Sequence, residues 1–376
     1  MHFPTREELR ARNTRKWTVH PDDVLPAWIA ESDFATCEPV KDAIRDAVEK
    51  ESFGYTPATS DLPDAVADFY EERYGWRPNP DWITYVPDVV RGMLLAAQYL
   101  TREGSAVIVP VPSYPPFLEI PKTAGREAVY VGAEGGLDLA EIEQAFADGA
   151  GSILISAPNN PMGYVYEADF LNQLVDLADR YDARLLMDEI HAPLVYDGKH
   201  VVAAGLSEKA ARVCVTVTAT SKAWNIAGLK CAQMIFSNEQ DWNTWKTLTG
   251  VAKDGTSTLG IVGATACYRE GVPFLDEEVD YLRANRDYLI EELPQRLPGI
   301  KVTKPAATYL LWLDFTDTPL AADPAGLLLK HGKAALNDGS FFGPGGAGHA
   351  RLNFATSREI LEEVVERMEK AYKAVS

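Results

Sequence analysis

Between about residue 85 and residue 240, short apolar runs alternate with amphipathic stretches. Runs of this length and composition are typical of strands that are buried on both faces. They are SAVIVP (105–110), SILIS (152–156), RLLMDE (184–189), VCVTVTA (213–219) and AQMIFS (232–237). Between the second and the third run, residues 167–182 carry an apolar stripe with the spacing of an amphipathic helix. Strands that alternate with helices predict βαβ crossovers and a largely parallel sheet.

The C-terminal part of the chain has a different pattern. A long helical stretch near 276–295 leads into KVTKPAATYLLWLDF (301–315), which reads as one or two strands. There follow a helical GLLLKHG, a glycine-rich turn, a strand-like RLNFAT and a closing helix over 357–373. This order predicts a smaller α+β domain after the large α/β sheet domain.

Composition narrows the class of protein. A chain of 376 residues suits two domains or one large α/β body. The net charge of −19 disfavours nucleic acid and anionic membranes as partners, because both would repel it. No apolar run is long enough to cross a bilayer, and the N-terminus lacks the apolar core of a secretory signal. The four cysteines show no CxxC spacing, so reduced thiols and a cytoplasmic protein are expected.

Several chemistries lack their motifs. The six histidines form no HExxH pair, and neither a GxSxG elbow nor a Walker A lysine occurs. The stretch FGPGGAGH (342–349) is rich in glycine, but a strand-like segment follows it where a dinucleotide loop would open a helix. Zinc hydrolysis, serine hydrolysis and nucleotide binding are therefore not indicated.

Polar residues follow three neighbouring strands at their carboxyl ends. SAPNNPMG (156–163) ends one strand, MDEIH (187–191) the next, and Ser221–Lys222 the third. Alone, each feature is consistent with a turn, a helix cap or a surface loop. Together they fall at one edge of a parallel sheet, where open α/β folds bind ligands.

A lysine, an aspartate and an amide at one site match the needs of one cofactor. A Schiff base to an aldehyde needs a lysine that loses its proton near neutral pH, which fits Lys222. A facing carboxylate, here Asp188, raises the pKa of a pyridine nitrogen by roughly 1–3 units and keeps it protonated. The amide of Asn160 can bond a phenolic oxygen. These groups indicate pyridoxal 5′-phosphate (PLP).

A phosphate site is predicted beside them. VPDVVRGMLLAAQYL (86–100) reads as a helix whose first amides, those of Val89 and Val90, can bind a phosphate. Ser221 adds a hydroxyl and Lys230 a positive charge. Asp88 is expected to cap this helix and point aside.

The chain resembles the fold-type I PLP enzymes of the class I/II aminotransferase superfamily, through NNPMG, MDEIH, TSKAWNIAGLK and HARLNFAT in this order. WIAESDF (28–34), FGYT (53–56), ATYLLWLDF (307–315) and GHARLNFATS (348–357) resemble its branch of cystathionine β-lyases and related C–S lyases. The resemblance covers nearly the whole chain. It implies the PLP-transferase fold type I, with a mostly parallel, seven-stranded type of sheet. The large domain would be 45–275 and the small domain 1–44 with 276–376.

The same resemblance implies a function for each site residue. Lys222 would hold PLP and then move the Cα proton. The cofactor-binding residues would be Asp188 at the ring nitrogen, Asn160 and His191 at the phenolic oxygen, Tyr114 on the ring face, Val89, Val90, Ser221 and Lys230 at the phosphate, and Tyr55 at the phosphate of the neighbouring subunit. Arg351 would bind the substrate α-carboxylate, with Ala30 also at the substrate. The position of Tyr55 implies a homodimer.

The chain departs from the family pattern at a few positions. Asp88 stands where relatives usually have glycine, Ala219 replaces a frequent serine, and Lys230 stands where many aminotransferases have arginine. Glu31 replaces an aspartate that is common in the lyase branch. These departures concern the phosphate site and the substrate entrance, and they leave the predicted cofactor unchanged.

Three functions remain open from the residues. The first is a β-lyase of cystathionine or another cysteine S-conjugate, which would give a thiol, pyruvate and ammonia and would serve methionine biosynthesis. The second is an aminotransferase, since fold and cofactor permit both outcomes. The third is a regulatory protein that retains the PLP fold, although the presence of Lys222, Asp188, Asn160 and Arg351 together favours catalysis.

Overall fold

The computed structural model describes residues 2–376 as three sheets, of seven, four and two strands, with helices around them. The α-helices in chain order are α1 (Arg6–Ala11), α2 (Arg15–Thr18), α3 (Glu38–Glu49), α4 (Asp61–Tyr74), α5 (Val89–Tyr99), α6 (Pro115–Thr123), α7 (Leu139–Ala147), α8 (Ala168–Arg180), α9 (Glu208–Val213), α10 (Glu239–Thr247), α11 (Gly250–Lys253), α12 (Thr258–Glu270), α13 (Val272–Arg296), α14 (Pro324–Leu327) and α15 (Arg358–Val375). The strands are β1 (Leu25–Pro26), β2 (Ile83–Val86), β3 (Ala106–Val111), β4 (Ala128–Gly132), β5 (Ala150–Ser156), β6 (Arg184–Asp188), β7 (Cys214–Thr218), β8 (Ala232–Ile235), β9 (Lys301–Val302), β10 (Leu310–Asp314), β11 (Ala334–Ala335), β12 (Asn337–Asp338) and β13 (His349–Asn353).

The large sheet has seven strands in the order β2-β8-β7-β6-β5-β3-β4. The pairs from β7 to β4 are parallel, and β8 runs antiparallel to both of its neighbours. Alternate side chains enter different cores: Leu186 packs in one with α5, whereas Leu185 and Met187 pack in the other with α8. The expectation of a mostly parallel sheet that is buried on both faces is confirmed.

The five apolar runs of the sequence correspond to strands β3, β5, β6, β7 and β8. The remaining strands of this sheet lack the same signal. β2 has only four residues, and β4 lies at the sheet edge with three of its five residues exposed. A short strand and an exposed edge strand do not show a continuous apolar run, so only their pairing reveals them.

The C-terminal region forms a second, antiparallel sheet in the order β12-β13-β10-β9. The N-terminal segment lies beside it: β1 pairs in parallel with β11 in a separate two-stranded sheet, and the Asn353 amide at the end of β13 donates to the Ala27 carbonyl oxygen. The segment predicted as helical GLLLKHG continues α14 as a turn of π-helix over Leu328–Gly332. The domain boundaries at 44/45 and 275/276 stay a prediction, which the pairing of β1 with β11 favours.

The carboxyl ends of three adjacent strands lie side by side. In the register of the sheet Ser156 faces Asp188, and Asp188 faces Val217. The loops that carry Asn160 and Lys222 start directly after these positions. The predicted convergence of the three polar segments is therefore confirmed.

Two further properties bear on the class of protein. All four cysteines are buried, and their thiols are free. Among residues 2–376, no helix has the combined length and apolarity that crossing a membrane would need. The cytoplasmic location stays a prediction.

Gly163, in the loop that carries Asn160, should tolerate substitution poorly. Its φ is +73°, and an added Cβ would lie 2.3 Å from Pro305 Cβ and 2.9 Å from the Ala307 carbonyl oxygen. Gly75 has a similar φ of +75° but open space around it. We expect Gly75→Ala to cost about 1–2 kcal/mol of unfolding free energy through its backbone alone. Gly163→Ala should cost roughly 1–3 kcal/mol more through overpacking.

Urea unfolding of the two glycine variants measures this difference. Equal losses in both would contradict the close approach of the Asn160 loop to the 305–307 segment.

Candidate active site

A cavity of about 330 Å³ opens at the carboxyl edge of the large sheet. It lies beside the ends of β5, β6 and β7 and the N-terminus of α5. The predicted site residues that line it are Ala30, Val89, Val90, Tyr114, Asn160, Asp188, His191, Ser221, Lys222 and Lys230. Pro87, Asp88, Ile190, Ala219, Ala227 and Cys231 complete the lining. The structure thus brings most of the predicted residues into one cavity.

Lys222 and Asp188 both line this cavity, and each affects the pKa of the other. Burial lowers the pKa of Lys222 to about 8, aided by Arg351 and opposed by the carboxylates of Asp188 and Glu31. The Lys222 amine donates a hydrogen bond to the Ala30 carbonyl oxygen, 2.7 Å away. An amine with this pKa has a substantial neutral fraction near physiological pH, which nucleophilic attack and proton transfer both require.

Asp188 ends β6 with its side chain buried. Burial raises its pKa to about 7, although the Ile190 amide and Lys222 both favour the ionised form. The Ile190 amide donates to Asp188 Oδ1 at 3.0 Å. A carboxylate in this position gains stability from a cationic partner, because desolvation otherwise penalises its charge.

Arg351 lies on β13, next to the cavity, and is held on several sides. Its guanidinium donates to Asn160 Oδ1 at 3.0 Å and to Asn337 Oδ1 at 2.8 Å. Its Cζ lies 4.9 Å from the ring centroid of Phe342. Nε is buried without a hydrogen-bond partner among residues 2–376. Burial lowers the pKa of Arg351 to about 10. Such a fixed fork suits a carboxylate ligand.

The same contact orients Asn160. Its amide oxygen accepts from Arg351, so its amide nitrogen is the group that remains for an acceptor in the cavity.

The N-terminus of α5 forms one end of the cavity. Asp88 caps the helix by accepting from the Arg91 amide at 2.8 Å, so the expectation that it caps is confirmed. The amides of Val89 and Val90 belong to the first turn, where no helical carbonyl is available to them. Lys230 lies beside this turn and contacts Asp88 Oδ2 at 2.9 Å. The acid therefore draws its neighbouring lysine towards the helix end.

His191 and Tyr114 are two further side chains of the cavity lining. His191 is 2% exposed, and burial lowers its pKa to about 3, so it is neutral. Its Nδ1 has no hydrogen-bond partner among residues 2–376. Tyr114 lines the cavity from the N-terminus of α6, and burial raises its pKa.

Tyr55 lies outside the cavity of its own subunit. Its side chain is fully exposed, at 103% of the reference value, and it borders a separate depression with Gly54 and Lys253. The arrangement leaves Tyr55 free to contact a second subunit.

Some contacts around Lys222 and Arg351 were not found from the sequence. Tyr309 donates to the Ala30 carbonyl oxygen at 3.2 Å, and Asn337 holds Arg351. Asn353 donates to the carbonyls of Ile29 and Glu31. Tyr309 and Asn353 contact backbone atoms, whereas Asn337 contacts the Arg351 side chain. The type of a residue does not indicate such contacts.

The lining fits PLP. Asp188 is a buried carboxylate for a protonated ring nitrogen, and the unpartnered His191 Nδ1 is placed for a hydrogen bond to a ligand. Val89, Val90, Ser221 and Lys230 offer donors to a phosphate at the helix end. Lys222 offers the amine. These assignments stay predictions for each residue.

Comparison with known proteins identifies the family. Aminotransferase class I and II matches residues 29–368. The chain belongs to this family. It is 55% identical to the cystathionine beta-lyase of Corynebacterium glutamicum over 368 aligned residues. The aligned region covers 98% of this chain and 99% of that protein.

Solved structures of the family agree in fold. A structure from Corynebacterium diphtheriae, assigned as a PLP-dependent beta-cystathionase, is 54% identical and has a TM-score of 0.98 over 99% of both chains. Cystalysin from Treponema denticola, which contains a PLP cofactor, is 26% identical with a TM-score of 0.93 over 100% of this chain and 99% of its own. The PLP-transferase fold type I is thereby confirmed.

The Lys222 amine of the PLP-free protein should react with an acylating reagent as an amine of lowered pKa. Competitive acylation followed by mass spectrometry should give a midpoint near pH 8, because burial lowers its pKa. The same peptide in the denatured protein should give about 10.4. Between these pH values the folded chain holds fewer protons than the unfolded chain, so this group makes folding more favourable as the pH rises.

Asp188→Asn is the matched variant for this measurement. It should lower the midpoint further, since Asp188 raises the pKa of Lys222. A native midpoint near 10 would show instead that the amine is hydrated.

Proposed function

We propose that this chain is a PLP-dependent carbon–sulfur β-lyase that cleaves L-cystathionine or related cysteine S-conjugates to a thiol, pyruvate and ammonia. The full-length 55% identity to a cystathionine beta-lyase carries this proposal, because the aminotransferases share the same kind of site. The cavity with Lys222 and Asp188 supports it.

When bound, PLP supplies an aldehyde for the substrate amino group and an electron sink for the Cα carbanion. Asp188 would keep its ring nitrogen protonated by the charge it presents there. Asn160 and His191 would bind its phenolic oxygen, and Tyr114 would lie against the ring. Ser221, Lys230 and the first amides of α5 would hold its phosphate.

Lys222 carries the proton. Its amine takes the proton from Cα, while Arg351 holds the α-carboxylate and so fixes which substrate bond faces the lysine. The Ala30 carbonyl oxygen, 2.7 Å from Nζ, gives the free amine a defined direction. Burial favours the neutral form that accepts the proton.

Loss of the thiol completes the cleavage. The electron pair left at Cα forms a double bond to Cβ as the Cβ–S bond breaks, and the sulfur leaves with that bond's pair and takes up a proton. The released 2-aminoacrylate adds water and loses ammonia to give pyruvate. No external oxidant is needed, since the oxidation at Cα is balanced by reduction at Cβ.

The purified, PLP-loaded protein with L-cystathionine and no keto acid tests the reaction. We expect many turnovers of pyruvate and free thiol per subunit. Lys222→Ala should lose at least about 10²–10⁴-fold in rate, because the proton transfer has no replacement group. Pyruvate is measured by coupled reduction, and thiol by a colorimetric reagent.

The cofactor spectrum separates the alternative. One turnover per subunit that leaves pyridoxamine phosphate would make the chain an aminotransferase. Full activity of Lys222→Ala would overturn the assignment of the lysine.

The homodimer with shared sites is part of this proposal. Tyr55, Phe53 and Val251 are exposed at 103%, 62% and 90%, and the segments 54–56 and 253–258 border one depression. Large exposed apolar side chains at one place favour an interface. The Tyr55 hydroxyl would then donate a hydrogen bond to the phosphate in the partner's cavity.

Tyr55→Phe and Val251→Glu test the dimer separately. Tyr55→Phe should stay dimeric and weaken PLP binding about 10- to 100-fold, the size of one lost hydrogen bond to a charged group. Val251→Glu should shift the protein towards monomer in light scattering. Phe341→Glu, an exposed apolar residue elsewhere, is the control. A wild-type monomer with normal PLP affinity would contradict the shared site.

A further inference from the structure

Residues 28–34, called the strap below, pass the cavity at Ala30, which lines it. Its backbone carbonyls are bound one after another by side chains of the site. Lys222 and Tyr309 donate to the Ala30 oxygen at 2.7 and 3.2 Å. Asn353 donates to the oxygens of Ile29 and Glu31 at 2.6 and 2.7 Å. The strap therefore sets where these acceptors stand.

Arg351 and Asn225 complete the inner contacts. Arg351 donates to the Trp28 oxygen at 3.4 Å. Asn225 bonds both backbone groups of Ser32, at 3.1 and 2.7 Å. The substrate-binding arginine and the loop after Lys222 are thus tied to the same seven residues.

The outer side of the strap rests on a buried ion pair. Lys16 Nζ lies 2.8 Å from Asp33 Oδ2, and the two side chains are 0% and 3% exposed. Lys16 also donates to the Glu31 oxygen at 3.1 Å, and Trp17 Nε1 donates to Asp33 Oδ1 at 2.7 Å. The Lys16 carbonyl accepts from Trp28 Nε1 at 3.2 Å. Helix α2 is therefore joined to both ends of the strap.

A buried ion pair is weak evidence for stability, because desolvation offsets the attraction. The geometry of this pair is what distinguishes it. Lys16 and Trp17 fix the strap at Glu31 and Asp33, on either side of Ser32 and directly after Ala30. An apolar contact would not define that position as tightly, since it has no direction.

We propose that Lys16 and Asp33 are positioning residues of the lyase reaction. They hold the strap so that the Ala30 carbonyl directs the free Lys222 amine and the Trp28 carbonyl supports Arg351. The inference rests on the β-lyase function proposed above. Neither residue touches the cavity, so both act through the strap.

Two variants separate position from stability. Asp33→Asn keeps an acceptor for Trp17 but leaves the Lys16 charge without its partner, so its melting temperature should fall by several degrees. Lys16→Met with Asp33→Asn removes both charges and keeps most of the Lys16 volume. It should regain much of the lost melting temperature.

The double variant should still be impaired in the reaction. We expect kcat to fall about 10- to 100-fold, because a small misplacement of the proton-carrying amine is costly. KM should rise only about threefold, since Asn160 and Asn337 still hold Arg351. The isotope effect with Cα-deuterated cystathionine should increase, and PLP affinity should stay within about twofold.

Hydrogen exchange of the strap gives a readout without activity. Peptides that cover 27–35 should exchange several-fold faster in the double variant, with or without PLP. Asp176→Asn, which removes an exposed ion pair to Lys209 at 2.6 Å, is the control and should change nothing.

The proposal would be overturned if the folded double variant kept the exchange rate, kcat and isotope effect of the wild type. A loss of kcat matched by an equal loss of PLP affinity would also overturn it. If the double variant does not fold, Trp17→Phe decides. It removes one hydrogen bond to Asp33, and a raised isotope effect supports the proposal while an unchanged value overturns it. A wild-type protein that releases no pyruvate would instead refute the β-lyase function.

Discussion

A buried amine and a buried carboxylate share one cavity, and the site depends on how burial acts on both. Desolvation lowers the pKa of Lys222 to about 8 and raises that of Asp188 to about 7. The two groups partly offset each other, so both remain close to the change of protonation state. A lysine in this condition can act as nucleophile and base, and the aspartate is ready for a cationic ring.

The sheet makes this burial possible. The two residues follow adjacent parallel strands whose own side chains fill cores on both faces. Parallel strands place their carboxyl ends at one edge, and loops can reach inwards there without interrupting the ladder. The N-terminus of α5 lies at the same edge and brings the unpaired amides of its first turn. Asp88 modifies this end by capping it and by drawing Lys230 towards it.

The second sheet and the N-terminal segment then complete the cavity. Arg351 comes from β13, and the carbonyl that receives Lys222 comes from Ala30, almost two hundred positions earlier in the chain. Both meet through the strap, whose far side is fastened by Lys16 and Asp33. Lyase and aminotransferase chemistry share this arrangement, because one fold and one cofactor serve both reactions.

The sequence alone determined the large sheet and most of the lining, because buried strands have continuous apolar runs and their polar ends must meet at one edge. Lys222, Asp188 and Asn160 were identifiable for this reason, and the family blocks added Arg351. Strands β2 and β4 could not be predicted from the sequence, since a short strand and an exposed edge strand have no such run. Only the tertiary structure decided that Asn337 holds Arg351 and that Lys16 and Asp33 fasten the strap. Those contacts are made between side chains of separate elements, and no local pattern in the sequence indicates them.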